Sequence, residues 1–172
     1  MLDSLWKVIN LCLFRVKPQD LPVSRNLTWA TVGIAFAVYM IGNTYLSGNQ
    51  NTFLLTTTQL AMLGGSLWLL LAMFRKPERW TQSASALYGA SAITHLAALP
   101  LLASVSASDG PVEKMSGSMV GIAAFQIWFF AVVVFILKET LEITLGLAIV
   151  ISFVLQLVFG IVLVSLFGNA LA

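Results

Sequence analysis

The sequence predicts an all-α membrane protein: a bundle of five transmembrane helices behind a short amphipathic amino-terminal segment. Three observations lead there. Hydrophobic residues make up 59% of the 172 residues and charged residues only 9%, whereas an ordinary soluble domain is nearer half apolar and a quarter charged. Five apolar runs of about 20 residues recur along the chain, the length that crosses a hydrocarbon core of about 30 Å. The connections between them are short and polar, which makes sequential runs antiparallel neighbours. A chain so poor in charge has lipid as its main solvent. Its length leaves no room for a soluble catalytic domain beside the bundle.

Residues 2–17 read as an interfacial helix. Leu2, Leu5, Trp6, Ile9, Leu13 and Val16 recur at helical spacing, with Asp3, Lys7, Asn10 and Lys17 on the other side. An apolar face carrying Trp, opposite a basic polar face, suits a helix lying at headgroup level. Pro18 and Pro22 end it. This stretch has neither the long apolar run nor the small-residue cleavage site of a signal peptide. The chain thus divides into an amphipathic segment, 1–25, and a five-helix domain, 26–172.

The spans follow at 27–46, 53–74, 83–103, 118–137 and 143–167. A polar turn at 47–52 joins the first two, and a charged turn at 75–82 containing Pro77 joins the second to the third. The longest gap, 104–117, has Asp109-Gly110-Pro111 as its turn signal. Residues 138–142 link the last two. Lys7, Arg15, Lys17, Arg25, Arg75, Lys76, Arg79 and Lys138 fall on one side of such a bundle and only Lys114 on the other. Eight against one is a strong positive-inside signal and predicts a cytoplasmic amino terminus.

Polar groups inside a bilayer are costly unless paired, so they are where function would show. His95, the only histidine, lies in the third span before Pro100. Gln59 lies in the second, Gln126 in the fourth and Gln156 in the fifth. Thr52, Thr56, Gln59 and Ser66 share one side of the second span. Ser152, Gln156 and Gly160 follow at spacing four on the fifth. Gly33 with Ala37, and Gly117 with Gly121, are small-xxx-small pairs of the kind that lets helices approach. The third span carries small residues almost all round. Helix packing explains much of this pattern. Glu139 and Glu142 sit at the cytoplasmic junction of the last two helices, either as a hydrated hairpin tip or as a contact for a partner. Lys138 and Glu142 are four apart and positioned to pair.

No catalytic residues are identified, because HExxH, GxSxG and phosphate-loop motifs are all missing. No cofactor or metal site is expected. A haem on His95 needs a second ligand, for which Met62, Met119 or a partner chain would have to serve. The single cysteine, Cys12, gives neither an internal disulfide nor a thiolate cluster.

One stretch carries a family likeness. Arg75-Lys76-Pro77-Glu78-Arg79-Trp80-Thr81-Gln82 feeds a small-residue helix that continues through Leu99-Pro100-Leu101-Leu102. This resembles the corresponding part of Yip1-domain membrane proteins. The run from Trp128 to Val150, helix, Lys-Glu turn and helix, is also similar, as is the block Lys17-Pro18-Gln19-Asp20-Leu21-Pro22 of short bacterial members. The resemblance implies a five-helix, non-enzymatic protein of a bacterial inner membrane. Eukaryotic members work with small GTPases through a long amino-terminal region that this chain lacks, so no functional residue is transferred.

The function read first from the sequence is therefore a scaffold or accessory subunit of a membrane complex, acting through helix packing and its basic cytoplasmic face. Its partners would be the lipid bilayer and another membrane protein or a second copy, with no role for nucleic acid. The alternative is a small transporter or permease in which His95, Gln59, Gln126 and Gln156 line a cavity near the midplane. Convergence of those four side chains on one cavity discriminates between the two.

Overall fold

The computed structural model describes residues 2–47, 51–106 and 112–171. All regular structure among them is helical: α1 (Leu2–Cys12), α2 (Arg25–Ser47), α3 (Thr52–Met73), α4 (Trp80–Ser106), α5 (Val112–Leu141) and α6 (Leu145–Leu171), with 3-10 turns at Pro18–Asp20 and Pro77–Arg79. Helices α2 to α6 are long and apolar enough to cross a membrane, and the chain is a multi-pass membrane protein. The Asp109-Gly110-Pro111 turn and Lys114's side chain lie outside the described residues. The helices overrun several of the predicted spans. α5 begins six residues before 118, and α4 starts at Trp80, because polar residues flanking an apolar run keep helical hydrogen bonds at headgroup depth.

Helix α4 is the axis of the bundle. Its small residues explain why: Ala84, Ala86 and Ala90 are fully buried, and their short side chains let α2 and α5 approach closely. Polar bridges then fill the gaps. The Thr28 hydroxyl of α2 lies 2.8 Å from the Ser85 hydroxyl and donates to the Thr81 carbonyl at 3.1 Å. Tyr88 crosses to α3, donating its phenol proton to the Leu60 carbonyl at 2.9 Å. Gly64 leaves the space for that phenol, since a methyl there would collide with it. Helix α6 is the opposite case. It packs mainly on α5 and less on α3, and its Phe153, Val154, Leu157, Ile161 and Val164 face outward as lipid-facing surface.

The amino-terminal segment differs from its sequence reading. Its helix stops at Cys12, five residues before Lys17. Phe14, in the left-handed region at φ 60°, closes the helix: Arg15 N–H donates to the Asn10 carbonyl and Phe14 N–H to the Leu11 carbonyl, the Schellman arrangement. The buried face is Val8, Leu11 and Cys12, while Trp6, Ile9 and Leu13, placed on the apolar face by the sequence, point outward. The helix has two apolar stripes, and the smaller side chains dock. Val8 seats on Gly89 of α4, nine residues along that helix, or about 14 Å from its start at 1.5 Å per residue. The Trp128 indole of α5 donates to the Cys12 carbonyl at 3.1 Å. Thus α1 is tucked against the bundle below the level of the helix ends. Burial pushes the Cys12 thiol up to about 11.

The glycine pairs also divide. Gly121 meets Leu101, but Gly33 and Gly117 have nothing within 4 Å, so these two mediate no packing among the described residues.

Candidate functional site

Helices α2 to α6 line a partly open cavity of about 320 Å³. Its wall contains all four predicted midplane residues, Gln59, His95, Gln126 and Gln156, together with Ser66, Ser152, Tyr39 and Phe129. The convergence is a matter of depth and face. Counted at 1.5 Å per residue from the end that carries the α3–α4 and α5–α6 junctions, Gln59, His95 and Gln126 lie at about 21–22 Å and Gln156 at about 16 Å. Ser66 and Ser152 lie lower, at about 10 Å. The antiparallel order brings these levels together although the residues are far apart in sequence. The rest of the wall is aliphatic, including Leu63, Leu67, Leu70, Val133 and Leu137.

A second cavity of about 170 Å³ adjoins the first. Tyr39, Gln59, His95 and Gln126 line both, and the second continues past Gly42, Asn43 and Leu102 toward the opposite end. These four residues lie where the two cavities meet.

The histidine is held in one state. Its Nδ1 lies 3.0 Å from the Ser91 carbonyl, which only accepts, so Nδ1 carries a proton and, in the neutral ring, Nε2 is the acceptor. Its ring stacks on Tyr39 with centroids 3.9 Å apart and meets the edge-on ring of Phe129 at 5.9 Å. Among the glutamines, only Gln59 has a side-chain partner: its Oε1 accepts from Asn43 Nδ2 at 2.8 Å, and the same Asn43 amide reaches the Thr56 hydroxyl at 2.9 Å. The serines are unlike one another. Ser66, Ser91 and Ser165 donate back to their own helices. Ser152 is 1% exposed, lines the cavity, and its hydroxyl oxygen has no hydrogen bond. Gln126, Gln156, the Gln59 Nε2 and His95 Nε2 make no bond with the described residues either. Of these groups the Ser152 hydroxyl is the fully buried one, and a buried polar group without a partner costs on the order of 2–7 kcal/mol; Gln126 is exposed and the others are half-buried.

No Asp, Glu, Lys or Arg appears in the wall of either cavity, and no cluster of metal-ligating side chains occurs among the described residues.

Glu139 and Glu142 belong to a different place, the end of the bundle where α3, α4, α5 and α6 meet. Glu139 bridges Lys17 at 3.1 Å and Lys138 at 2.8 Å. Glu142 bridges Lys76 and Arg79, each at 2.5 Å, rather than pairing with Lys138 four residues earlier. The ammonium of Lys76 and then the guanidinium of Arg79 hold the Glu142 carboxyl below the usual carboxylate range. The same cations close the end of α5: Lys76 donates to the Leu141 carbonyl at 3.1 Å and Arg79 to Thr140 at 2.9 Å. Gln19 donates to the Glu139 carbonyl at 2.6 Å, and Gln82 to the carbonyls of Gln19 and Leu21. Four of the eight cations assigned to this side are thereby engaged in fastening the chain to itself. Cations at helix C-termini are electrostatically favoured, and that is their structural use here.

Sequence reasoning missed Tyr39 and Asn43. Their spacing of four on α2 was a signal, and it points to the same wall. Set against family models, curated proteins and solved structures, the chain matches none.

Proposed function

We propose that the protein is a small membrane carrier or permease that takes an uncharged polar solute into the cavity between its helices. The observation that carries this reading is the convergence of Gln59, His95, Gln126 and Gln156 on one cavity, where each keeps hydrogen-bonding capacity not taken up by the described residues. Charge is selected against. Moving an ion into a low-dielectric site without a counter-charge costs several kcal/mol even after relaxation, and these walls hold no carboxylate or basic side chain. The His95 proton is tied to the Ser91 carbonyl, which argues against a proton shuttle through the ring. The chemistry proposed is binding and passage, with no covalent step.

The test is solute flux in proteoliposomes with His95→Ala and Gln126→Leu as controls. Uptake of a neutral solute above the protein-free rate, lost in both variants, supports the proposal; flux equal to protein-free vesicles would sink it.

A scaffold or accessory role is the second reading, favoured by one observation. Gly33 and Ala37 lie exposed on α2, with nothing within 4 Å of Gly33, so a helix of another membrane protein or a second copy has a small-residue face to meet. The protein's mass in nanodiscs, with and without Gly33→Leu, tests it: a lone monomer in both would remove it. The layout shared with short Yip1-domain proteins supports assignment to a bacterial inner membrane, and the eight-to-one distribution of Lys and Arg supports a cytoplasmic amino terminus.

A further inference from the structure

We propose that the solute is a neutral polyol, a small molecule carrying several hydroxyl groups; the inference rests on the carrier reading of this cavity and names its ligand class. Each polar group of the wall states what it needs. His95 Nε2 needs a donor, because Nδ1 keeps the proton against the Ser91 carbonyl. Gln59 needs an acceptor for its NH2, while its Oε1, which already accepts from Asn43, keeps one lone pair for a further donor. Gln126 and Gln156 each need one of both kinds. The buried Ser152 hydroxyl, without a bond of its own, takes either.

A hydroxyl donates and accepts through a single atom and so matches all five. A ketone or ester accepts only and leaves His95 Nε2 bare. An ammonium donates only, leaves the Gln59 NH2 bare, and brings a charge that no wall residue neutralises. A carboxylate has the same fault with opposite sign. One hydroxyl is too few, since Ser152 lies about 10 Å from the junction end and His95 about 22 Å from it at 1.5 Å per residue. A chain of hydroxyls spans those levels. Its C–H faces suit the Tyr39 and Phe129 rings and the aliphatic remainder of the wall, as hydrogen-bonding pockets with mostly apolar linings commonly do. The volume of about 320 Å³ lies at the small-ligand end of pocket sizes.

The shared lining residues give the route. A polyol bound to Gln156 and Ser152 in the larger cavity meets Gln59, His95 and Gln126 at its upper end, and the same three groups face the smaller cavity. Hydroxyls are thus passed from one compartment to the next without losing their partners.

The experiment is osmotic light scattering of proteoliposomes holding the full chain, with glycerol, erythritol and xylitol as polyols, urea and acetamide as neutral amides, and lactate as a charged solute of similar size. Equilibrium dialysis with xylitol measures binding separately. Polyols are expected to enter at least about tenfold faster than in protein-free vesicles, ahead of the amides, with lactate at the baseline. Gln156→Leu and Ser152→Ala on the peripheral α6 should each cut polyol entry about tenfold, the worth of one buried hydrogen bond at 1.4 kcal/mol per decade. Their unchanged thermal midpoints separate this loss from misfolding. Amides entering faster than polyols, with the same dependence on Gln156, would overturn the polyol and leave the carrier standing. No neutral solute entering and no xylitol bound would overturn both.

Discussion

At the scale of single residues, the packing around α4 turns on contacts that one atom can break. Tyr88→Phe deletes the bond to the Leu60 carbonyl and leaves a buried carbonyl lone pair to its own helix. A loss of about 1 kcal/mol is expected, read from thermal unfolding in detergent. Gly64→Ala should cost more, because the new methyl occupies the place of the Tyr88 hydroxyl. Cys12 offers a reporter at the other side of the bundle. It is the only cysteine, it is buried, and its thiol is pushed from 9.0 up to about 11. Two units mean roughly a hundredfold less thiolate at neutral pH, and thiolate is the reactive form. Native protein should therefore resist N-ethylmaleimide at pH 7. Gly89→Leu should abolish that resistance, since even a methyl at Gly89 would stand 2.6 Å from the Val8 Cγ1 and force α1 off. Labelling of the native protein as fast as the denatured chain would refute the docked position of α1.

At the scale of elements, three helices finish with a left-handed residue that is not glycine: Phe14 after α1, Arg75 after α3 and Glu142 after α5. The closing bonds have one pattern, Arg15 to Asn10, Lys76 to Leu71 and Ile143 to Lys138. A left-handed L-residue costs roughly 1–2 kcal/mol, part of which glycine returns as unfolded-state entropy. Arg75 is exposed, and Arg75→Gly should stabilise by about 0.5–1 kcal/mol in the same unfolding assay. Glu142 is different because its carboxylate also holds Lys76 and Arg79. Its folded-state pKa is lowered, so its contribution is present at neutral pH and disappears as pH falls through that lowered value. The midpoint difference between the native protein and Glu142→Gln should be constant across about pH 6–8, shrink as pH falls below the ordinary carboxylate value of 4.5 and vanish once pH lies under the lowered folded-state value. A difference that grows on acidification would contradict the ion pairs.

At the scale of the whole molecule, the cavity and the charged end are separate features with separate uses. The charged end fastens α1's trailing segment, the α3–α4 turn and the α5–α6 turn to one another through Glu139, Glu142, Gln19 and Gln82. The cavity lies deeper and touches none of these groups. Substitutions at the two sites should therefore be separable: Glu142→Gln alters stability with solute flux per folded molecule retained, and Gln126→Leu does the reverse. Orientation is tested on the whole chain too. With Cys12→Ser as background, a cysteine at Arg75 should label from the cytoplasmic side and one at Asn51 from the other.

Five spans, their order and their short links were legible in the sequence because the bilayer imposes a length and a composition on each segment by itself. The small residues around the third span were legible as packing positions; that they place α4 at the centre was decided by the fold. The wall of the cavity was legible as a list of polar residues. Its being one cavity was not, because depth along a helix is local while the face turned inward depends on every neighbour's packing. Tyr39 and Asn43 entered the wall only through that packing. So did the choice between two apolar stripes on α1, which the Gly89 notch decided in favour of Val8, Leu11 and Cys12. The glutamates show the same division: local spacing suggested a Lys138–Glu142 pair, and the fold gave Glu142 to Lys76 and Arg79, more than sixty residues away. What a segment does against lipid is set by its own residues. Which polar groups are left without partners is set only when all the helices have closed around them.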